Sequence, residues 1–344
     1  MDNNDRIILV TGASGFIAMH CILQLLEKGF TVRGTLRTPA REASLRATFK
    51  KHVDADDRLS FYTAELMSDE GWREAIEGCD AVLHVASPFP RKPPKHEDEL
   101  IVPAREGVLR VLRLASELGV RRVVMTSSVV AMICGHKRDG SEVYDESFWS
   151  IPEKTVGAYE KSKTFAERAA WEFMDSLPED CRLELVAINP GVVLGPILDE
   201  DYGTTGELVR KLMKRDTPGC PPIGYALADV RDVAGAHIAA MDAPQAAGKR
   251  FIVATDHVWM RDIALALDAH LKGKGYKIPT RALPAFVLRL VAIFDKTAKL
   301  AVPWINLRMD LSHEQATRIL NWEPRSMETM VTDMADSFIE FKVA

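Results

Sequence analysis

Short runs of branched apolar residues alternate with helix-like stretches along the first two-thirds of the chain, and this alternation narrows the fold more than any other feature. Ile7–Val10, Phe30–Arg37, Arg58–Leu66, Asp80–Ala86, Arg121–Ser128 and Arg182–Gly191 read as strands. Phe16–Lys28, stopped by Gly29, reads as an apolar-faced helix. Ser68–Gly78, Val102–Gly119 and Gly157–Asp175 read as further helices. Consecutive strands separated by a helix pair in parallel, because the chain must cross over before re-entering the sheet. The expectation is therefore α/β, a doubly wound parallel sheet with helices on both faces.

The alternation fades after Pro196. Gly195–Glu207 and Arg215–Asp229 are rich in glycine and proline and read as mobile loops. Lys249–Thr255 gives one more strand, and helical stretches broken by Pro279, Pro284, Pro303 and Pro324 follow. We expect a nucleotide-binding domain of residues 1–194 plus about 230–256. A smaller, loop- and helix-rich substrate lobe would comprise 195–229 plus about 257–344.

The glycine turn after the first strand gives the sheet a purpose. In Val10–His20, Gly12 allows a tight turn, Gly15 lets backbone amides approach a pyrophosphate, and Ala18 is small enough for the helix to pack on the sheet. Phosphates then rest on the positive end of a helix. That is a Rossmann-type dinucleotide site with G-x-x-G-x-x-A spacing. An NAD site usually places Asp or Glu after the second strand to hold the ribose hydroxyls. Here the strand ends in Arg37, with Arg33 and Arg41 nearby. A guanidinium at that place pairs with a 2′-phosphate, so NADPH/NADP+ is favoured.

Tyr159 and Lys163 stand four residues apart in a helical stretch and so share a face. An ammonium beside a phenol favours phenolate, whose ordinary pKa is near ~10. Such a tyrosine can pass a proton to or from a carbonyl or hydroxyl oxygen. Ser128 ends a buried strand at the sheet's carboxyl edge, where it can hydrogen-bond the same oxygen.

The remaining composition excludes other classes. The chain of 344 residues has a net charge of -5 and no long basic block, which argues against nucleic acid and acidic membranes. Cys21, Cys79, Cys134, Cys181 and Cys220 are scattered and read as reduced thiols, without metal-type spacing. The polar N-terminal stretch and the absence of a long apolar run imply a cytoplasmic protein. It is expected to be a monomer or homodimer, with a small carbonyl compound as partner and no metal.

The motifs TGASGFIA, HVASPFP, VVMTSS, YEKSK and NPGVVLGP occur here in the order found in extended short-chain dehydrogenases/reductases. The chain resembles most the dihydroflavonol-4-reductase-like branch, which includes NADPH-dependent aldehyde, ketone and methylglyoxal reductases. The resemblance implies a catalytic triad of Ser128, Tyr159 and Lys163, with Tyr159 the general acid in reduction. Lys163 would also hold the nicotinamide ribose. It further implies cofactor contacts from Gly12, Ser14, Gly15, Phe16, Ile17, Arg37, Glu65, Leu66, Val85, Ala86, Ser87 and Ser127. The Asn189–Val193 run, with Pro190, Gly191, Val192 and Val193, would border the nicotinamide.

Three departures refine that picture. Glu106 occupies the region where many relatives carry a relay asparagine. Ile133 replaces the asparagine that recognises flavonoids in plant dihydroflavonol reductases. The Asn-Trp-Tyr-Cys-Tyr-Gly-Lys motif of cinnamoyl-CoA reductases is not matched, which disfavours a CoA thioester. Phe89, Val129, Ile133, Ile223 and Tyr225 are the expected substrate lining, suited to a hydrophobic or aromatic aldehyde or ketone. Two other functions fit the same fold: a non-catalytic NADP(H)-binding sensor, and an NAD-dependent nucleotide-sugar epimerase or dehydratase. The retained Ser-Tyr-Lys set opposes the first, and the missing acid after the second strand opposes the other. His84, His136 and His237 read as structural, and Arg231 and Asp232 as pairing or capping residues.

Overall fold

Parallel strands, the central ones enclosed on both faces, form the centre of the molecule. The computed structural model describes residues 3–54, 56–88, 94–155, 157–294 and 296–344. Its strands are β1 (Ile7–Val10), β2 (Thr31–Leu36), β3 (Leu59–Thr63), β4 (Ala81–His84), β5 (Arg122–Thr126), β6 (Glu184–Pro190), β7 (Val192–Leu194), β8 (Gly224–Asp229), β9 (Arg250–Val253) and β10 (His257–Trp259). The helices are α1 (Phe16–Glu27), α2 (Glu42–Lys50), α3 (Trp72–Ile76), α4 (Asp98–Glu117), α5 (Val130–Ile133), α6 (Ala158–Asp175), α7 (Glu207–Lys214), α8 (Val230–Asp242), α9 (Met260–Leu271), α10 (Ala285–Val291), α11 (Lys296–Ala301), α12 (Glu314–Leu320) and α13 (Met327–Glu340).

The main sheet runs β3-β2-β1-β4-β5-β6-β9, every neighbouring pair parallel. Along β1 the side chains alternate between faces. Ile8 and Val10 join the core with α1 and α8, whereas Leu9 joins the core with α3, α4 and α6. The chain reverses its direction of travel across the sheet between β1 and β4, and open sheets of this kind bind ligands at such a point. The glycine turn lies there. A second sheet, β10-β8-β7, springs from the end of β6. Gly191 sits at the junction, its backbone so close to the Ala226 carbonyl that a Cβ would have no room.

Three differences from the sequence reading have physical causes. First, Arg215–Asp229 is not all loop, because its last six residues are β8, with Ala226, Leu227 and Ala228 fully buried. Their partners in β7 and β10 are remote along the chain, so local pattern does not reveal them. Second, α4 begins at Asp98 rather than Val102 and carries Pro103 inside it. Asp98 and Glu99 in the first turn suit the positive helix end, which favours the longer helix. Third, α2 lies in a stretch to which the sequence reading assigns no element, with Leu45, Thr48 and Phe49 buried. No described helix is long and apolar enough to cross a membrane.

Candidate active site

Gly12 adopts a left-handed backbone (φ +69°), and a Cβ there would lie 3.1 Å from that of Ala86. Its amide donates to the Thr35 hydroxyl at 2.9 Å, and the Ala13 amide to the Thr35 carbonyl at 2.8 Å. The turn is therefore pinned to β2. On its other side the Thr11 hydroxyl accepts from the Ala86 amide (2.9 Å) and bonds His84 Nδ1 (3.0 Å). This ties Val85, Ala86 and Ser87, all half-buried, beside the glycines. Gly15 caps α1 without any side-chain bond, leaving the first-turn amides to a ligand. Phe16 is buried beneath them, with Ser14 and Ile17 half-exposed. This donor set suits a pyrophosphate.

The arginines in and after β2 divide clearly. Arg33 Nη1 donates to the carbonyls of Glu74, Ala75 and Glu77, and the guanidinium stacks over Tyr62 at 5.3 Å. Arg41 pairs with Asp199 at 2.6 Å. Arg37 is exposed at the strand end. Glu65 is exposed as well, while the Leu66 side chain packs against Gly107 of α4.

At the carboxyl edge of β5, Ser128 and Tyr159 are joined by a side-chain hydrogen bond. Lys163, one turn along α6, donates from Nζ to the Thr126 carbonyl at 3.1 Å. Burial dominates both ionisations. It raises Tyr159, opposed by the Ser128 bond. It lowers Lys163 to about 8, opposed by the nearby Glu167 carboxylate. Burial outweighs the lowering by the Ser128 bond, so the phenol is raised rather than lowered. The phenol therefore stays protonated at neutral pH.

A buried polar network that the sequence reading overlooked supports these groups. Glu167 is fully buried and lies four residues beyond Lys163 on the same helix face. It accepts hydrogen bonds from the Ser127 hydroxyl and from Asn189 Nδ2 (2.8 Å), and pairs with Arg250 Nε at 2.6 Å. Asn189 also donates to the Ser128 carbonyl at 3.2 Å. Arg250 reaches the carbonyls of Glu146 and Phe148 and stacks over Trp149 at 3.8 Å. One carboxylate thus ties α6, β6, β9 and the Ser127–Ser128 segment together. The signal was a glutamate continuing the Tyr159–Lys163 spacing. Ser127, expected beside the cofactor, turns its hydroxyl inward to this network.

Pro190 is buried, Gly191 and Val192 are half-exposed, and Val193 is buried, all beside the end of β6. Of the expected substrate residues, Val129 and Ile133 pack in one apolar cluster with Tyr159. Ile133 is wholly enclosed, so it shapes the wall from behind. Ile223 pairs by a β-bridge with Ile305, and Tyr225 is half-buried. Phe89 lies outside the described residues. His84 and His237 are buried and hydrogen-bonded to threonines, and His136 bonds the Trp149 carbonyl at 2.9 Å. Arg231 pairs with Asp229 and Asp333, and Asp232 with Arg325. Among the described residues no group of three or more His, Cys, Asp or Glu side chains is placed to hold a metal ion.

Residues 8–254 match the model of the NAD dependent epimerase/dehydratase family. The chain is 36% identical over 279 residues to cinnamoyl-CoA reductase 1 of Petunia hybrida, covering 80% of each chain. It is 32% identical to a putative anthocyanidin reductase of Ginkgo biloba, covering 80% of this chain and 82% of that one. Among solved structures it resembles yeast methylglyoxal/isovaleraldehyde reductase Gre2, crystallised with NADPH. The TM-score is 0.82 at 28% identity, covering 98% of this chain and 99% of that one.

Proposed function

The chain belongs to the NAD dependent epimerase/dehydratase family, the extended short-chain dehydrogenases/reductases, and from that premise we propose that it is an NADPH-dependent carbonyl reductase. It would convert a hydrophobic or aromatic aldehyde or ketone to the alcohol. The observation that carries this reading is the hydrogen-bonded Ser128–Tyr159 pair with Lys163 one turn away. The reductase names of its relatives support it, as does the Gre2 structure with NADPH.

When bound, NADPH supplies the hydride. Gly12, Ser14, Gly15 and the first-turn amides of α1 would hold its pyrophosphate, and Arg37 its 2′-phosphate. Glu65, Leu66, Val85–Ser87 and Pro190–Val193 would line the remainder. Tyr159 donates its phenolic proton to the carbonyl oxygen, and burial keeps that proton in place until it is needed. Ser128 hydrogen-bonds the same oxygen and stabilises the charge that develops on it. Lys163, largely charged at neutral pH, holds the ribose and favours the phenolate left behind. Val129, Ile133, Ile223 and Tyr225 give the pocket its apolar character. Residues 195–229 and about 257–344 act as the substrate lobe over the domain formed by 1–194 and about 230–256.

Arg37 in place of an acid favours the reductase over an epimerase with tightly held NAD. The complete Ser-Tyr-Lys set favours it over a sensor. The test is oxidation of added NADPH and NADH by the purified protein, against aldehydes, ketones, diketones, dihydroflavonols and cinnamoyl-CoA. Carbonyl-dependent oxidation of exchangeable NADPH, faster with free aldehydes or ketones than with the thioester, is expected. A preparation that turns over none of them, or only the thioester, rejects the reading.

A further inference from the structure

Arg138 is a charged side chain, buried near the Tyr159 cluster, whose hydrogen-bonding capacity is only partly met among the described residues. It is only 8% exposed. Its Nε and Nη1 atoms are buried and find no hydrogen-bond acceptor among the described residues. Those two atoms carry three of the five guanidinium N–H bonds. Its backbone is left-handed at φ +48°, a conformation that L side chains adopt only where surrounding structure enforces it. Two backbone bonds do so: the Arg138 amide donates to the Tyr144 hydroxyl (3.4 Å), and its carbonyl accepts from Arg308 (3.0 Å). The guanidinium lies over the Trp304 ring at 4.5 Å. That ring attracts the cation but accepts no in-plane hydrogen bond.

The surroundings tie this group to the apolar cluster that holds Tyr159. Trp304 packs in the same apolar cluster as Val129, Ile133 and Tyr159. The residue after it, Ile305, bridges Ile223. Cys134 and Glu160 lie within electrostatic reach of both Tyr159 and Arg138. Glu160 forms no ion pair with Arg138 among the described residues, and burial pushes its carboxyl upward. Tyr144 is the remaining titratable neighbour.

We infer that Arg138 is an anion-recognition residue of the carbonyl site, and that the preferred substrates carry a carboxylate at the end remote from the reducible carbonyl. A carboxylate presents the acceptors that the buried N–H groups lack, on a planar guanidinium already stacked in place. The site is then apolar along the middle of the substrate and charged at its far end. This inference rests on the reductase reading, of which it specifies the substrate class.

The experiment uses the full chain with NADPH and a series of aldehydes bearing a terminal carboxylate at increasing distance from the carbonyl. Each acid is compared with its methyl ester. At the matching length the acid should exceed its ester in kcat/KM by about 10- to 150-fold, the range a charge-assisted hydrogen bond spans. Arg138→Met should bring the acid down to the level of its ester, and Arg138→Lys should retain part of the preference. Calorimetric titration with the hydroxy acid that reduction would produce gives a readout without turnover, and Arg138→Met should weaken that binding tenfold or more. Thermal melting and NADPH titration of each variant establish that it is folded. Esters preferred at every length, or a preference that survives Arg138→Met, overturns the inference while leaving the reductase reading intact. Failure of acids and esters alike to oxidise NADPH rejects both.

Discussion

Arg37 has different surroundings from Arg33 and Arg41 on either side of it. Arg33 fastens β2 to the end of α3, and Arg41 is paired with Asp199, so both guanidinium groups are already engaged. Arg37 stands exposed at the end of β2. Arg37→Ala should therefore weaken NADPH binding far more than NADH binding, because only NADPH carries the 2′-phosphate. A charge-assisted hydrogen bond is worth roughly 1.5–3 kcal/mol, about 10- to 150-fold in affinity. Titration of both cofactors checks this, and equal losses for the two would assign Arg37 a structural role. At the same scale, Tyr159 shows why spacing alone does not give an ionisation state. Residues four apart on a helix share a face, but how deeply that face is buried is a property of the folded molecule.

At the level of elements, α6 presents Tyr159, Lys163 and Glu167 on one face, and Glu167 ties it to the strand ends. Glu167→Gln keeps the side-chain volume and leaves Arg250 buried without its partner. Breaking a buried pair in this way costs about 3–5 kcal/mol of stability. Glu167 also holds the Lys163 pKa up, so its loss lowers that pKa further below about 8. The basic limb of the kcat/KM–pH profile should move to lower pH, a change that destabilisation alone does not produce. An unmoved profile in a folded variant would confine Glu167 to packing. The central strands of the main sheet were legible because burial on both faces makes them continuous apolar runs, as in Ile7–Val10. The small sheet was not, because β7 and β10 are three residues each and their pairing with β8 is settled by contacts distant in sequence. Tyr159, Lys163 and Ser128 were legible through spacing and position at a strand end. Arg138 was not, because a surface arginine and a buried one look alike in sequence.

In the whole molecule, a single core joins Ile8 of β1 and Ile22 of α1 with Met330, Met334 and Phe338 of α13. The C-terminal helix is therefore part of the same packing as the sheet. Within this interior His20, His84 and His237 are held neutral, burial lowering them to about 4, 3 and 4 from 6.5. The unfolded chain binds more protons than the folded one between these values and pH 6.5. Stability consequently rises with pH across that window and is lost as acid is added, by at most about 1.4 kcal/mol per pH unit for each histidine. Melting temperatures taken from pH 6.5 downward should fall, and NMR titration should find none of the three imidazoles charging above pH 5. An imidazole of the three that titrates near 6.5 would contradict its burial. The same interior keeps the Tyr159 phenol protonated beside Ser128, and on that the central claim turns. Tyr159→Phe removes the hydroxyl and keeps the ring, so NADPH affinity should persist while turnover with a good aldehyde substrate falls by about 10²–10⁴-fold, the usual contribution of a general acid. Near-normal turnover by Tyr159→Phe, measured beside the parent protein with NADPH saturating, would contradict the assignment of proton transfer to this residue.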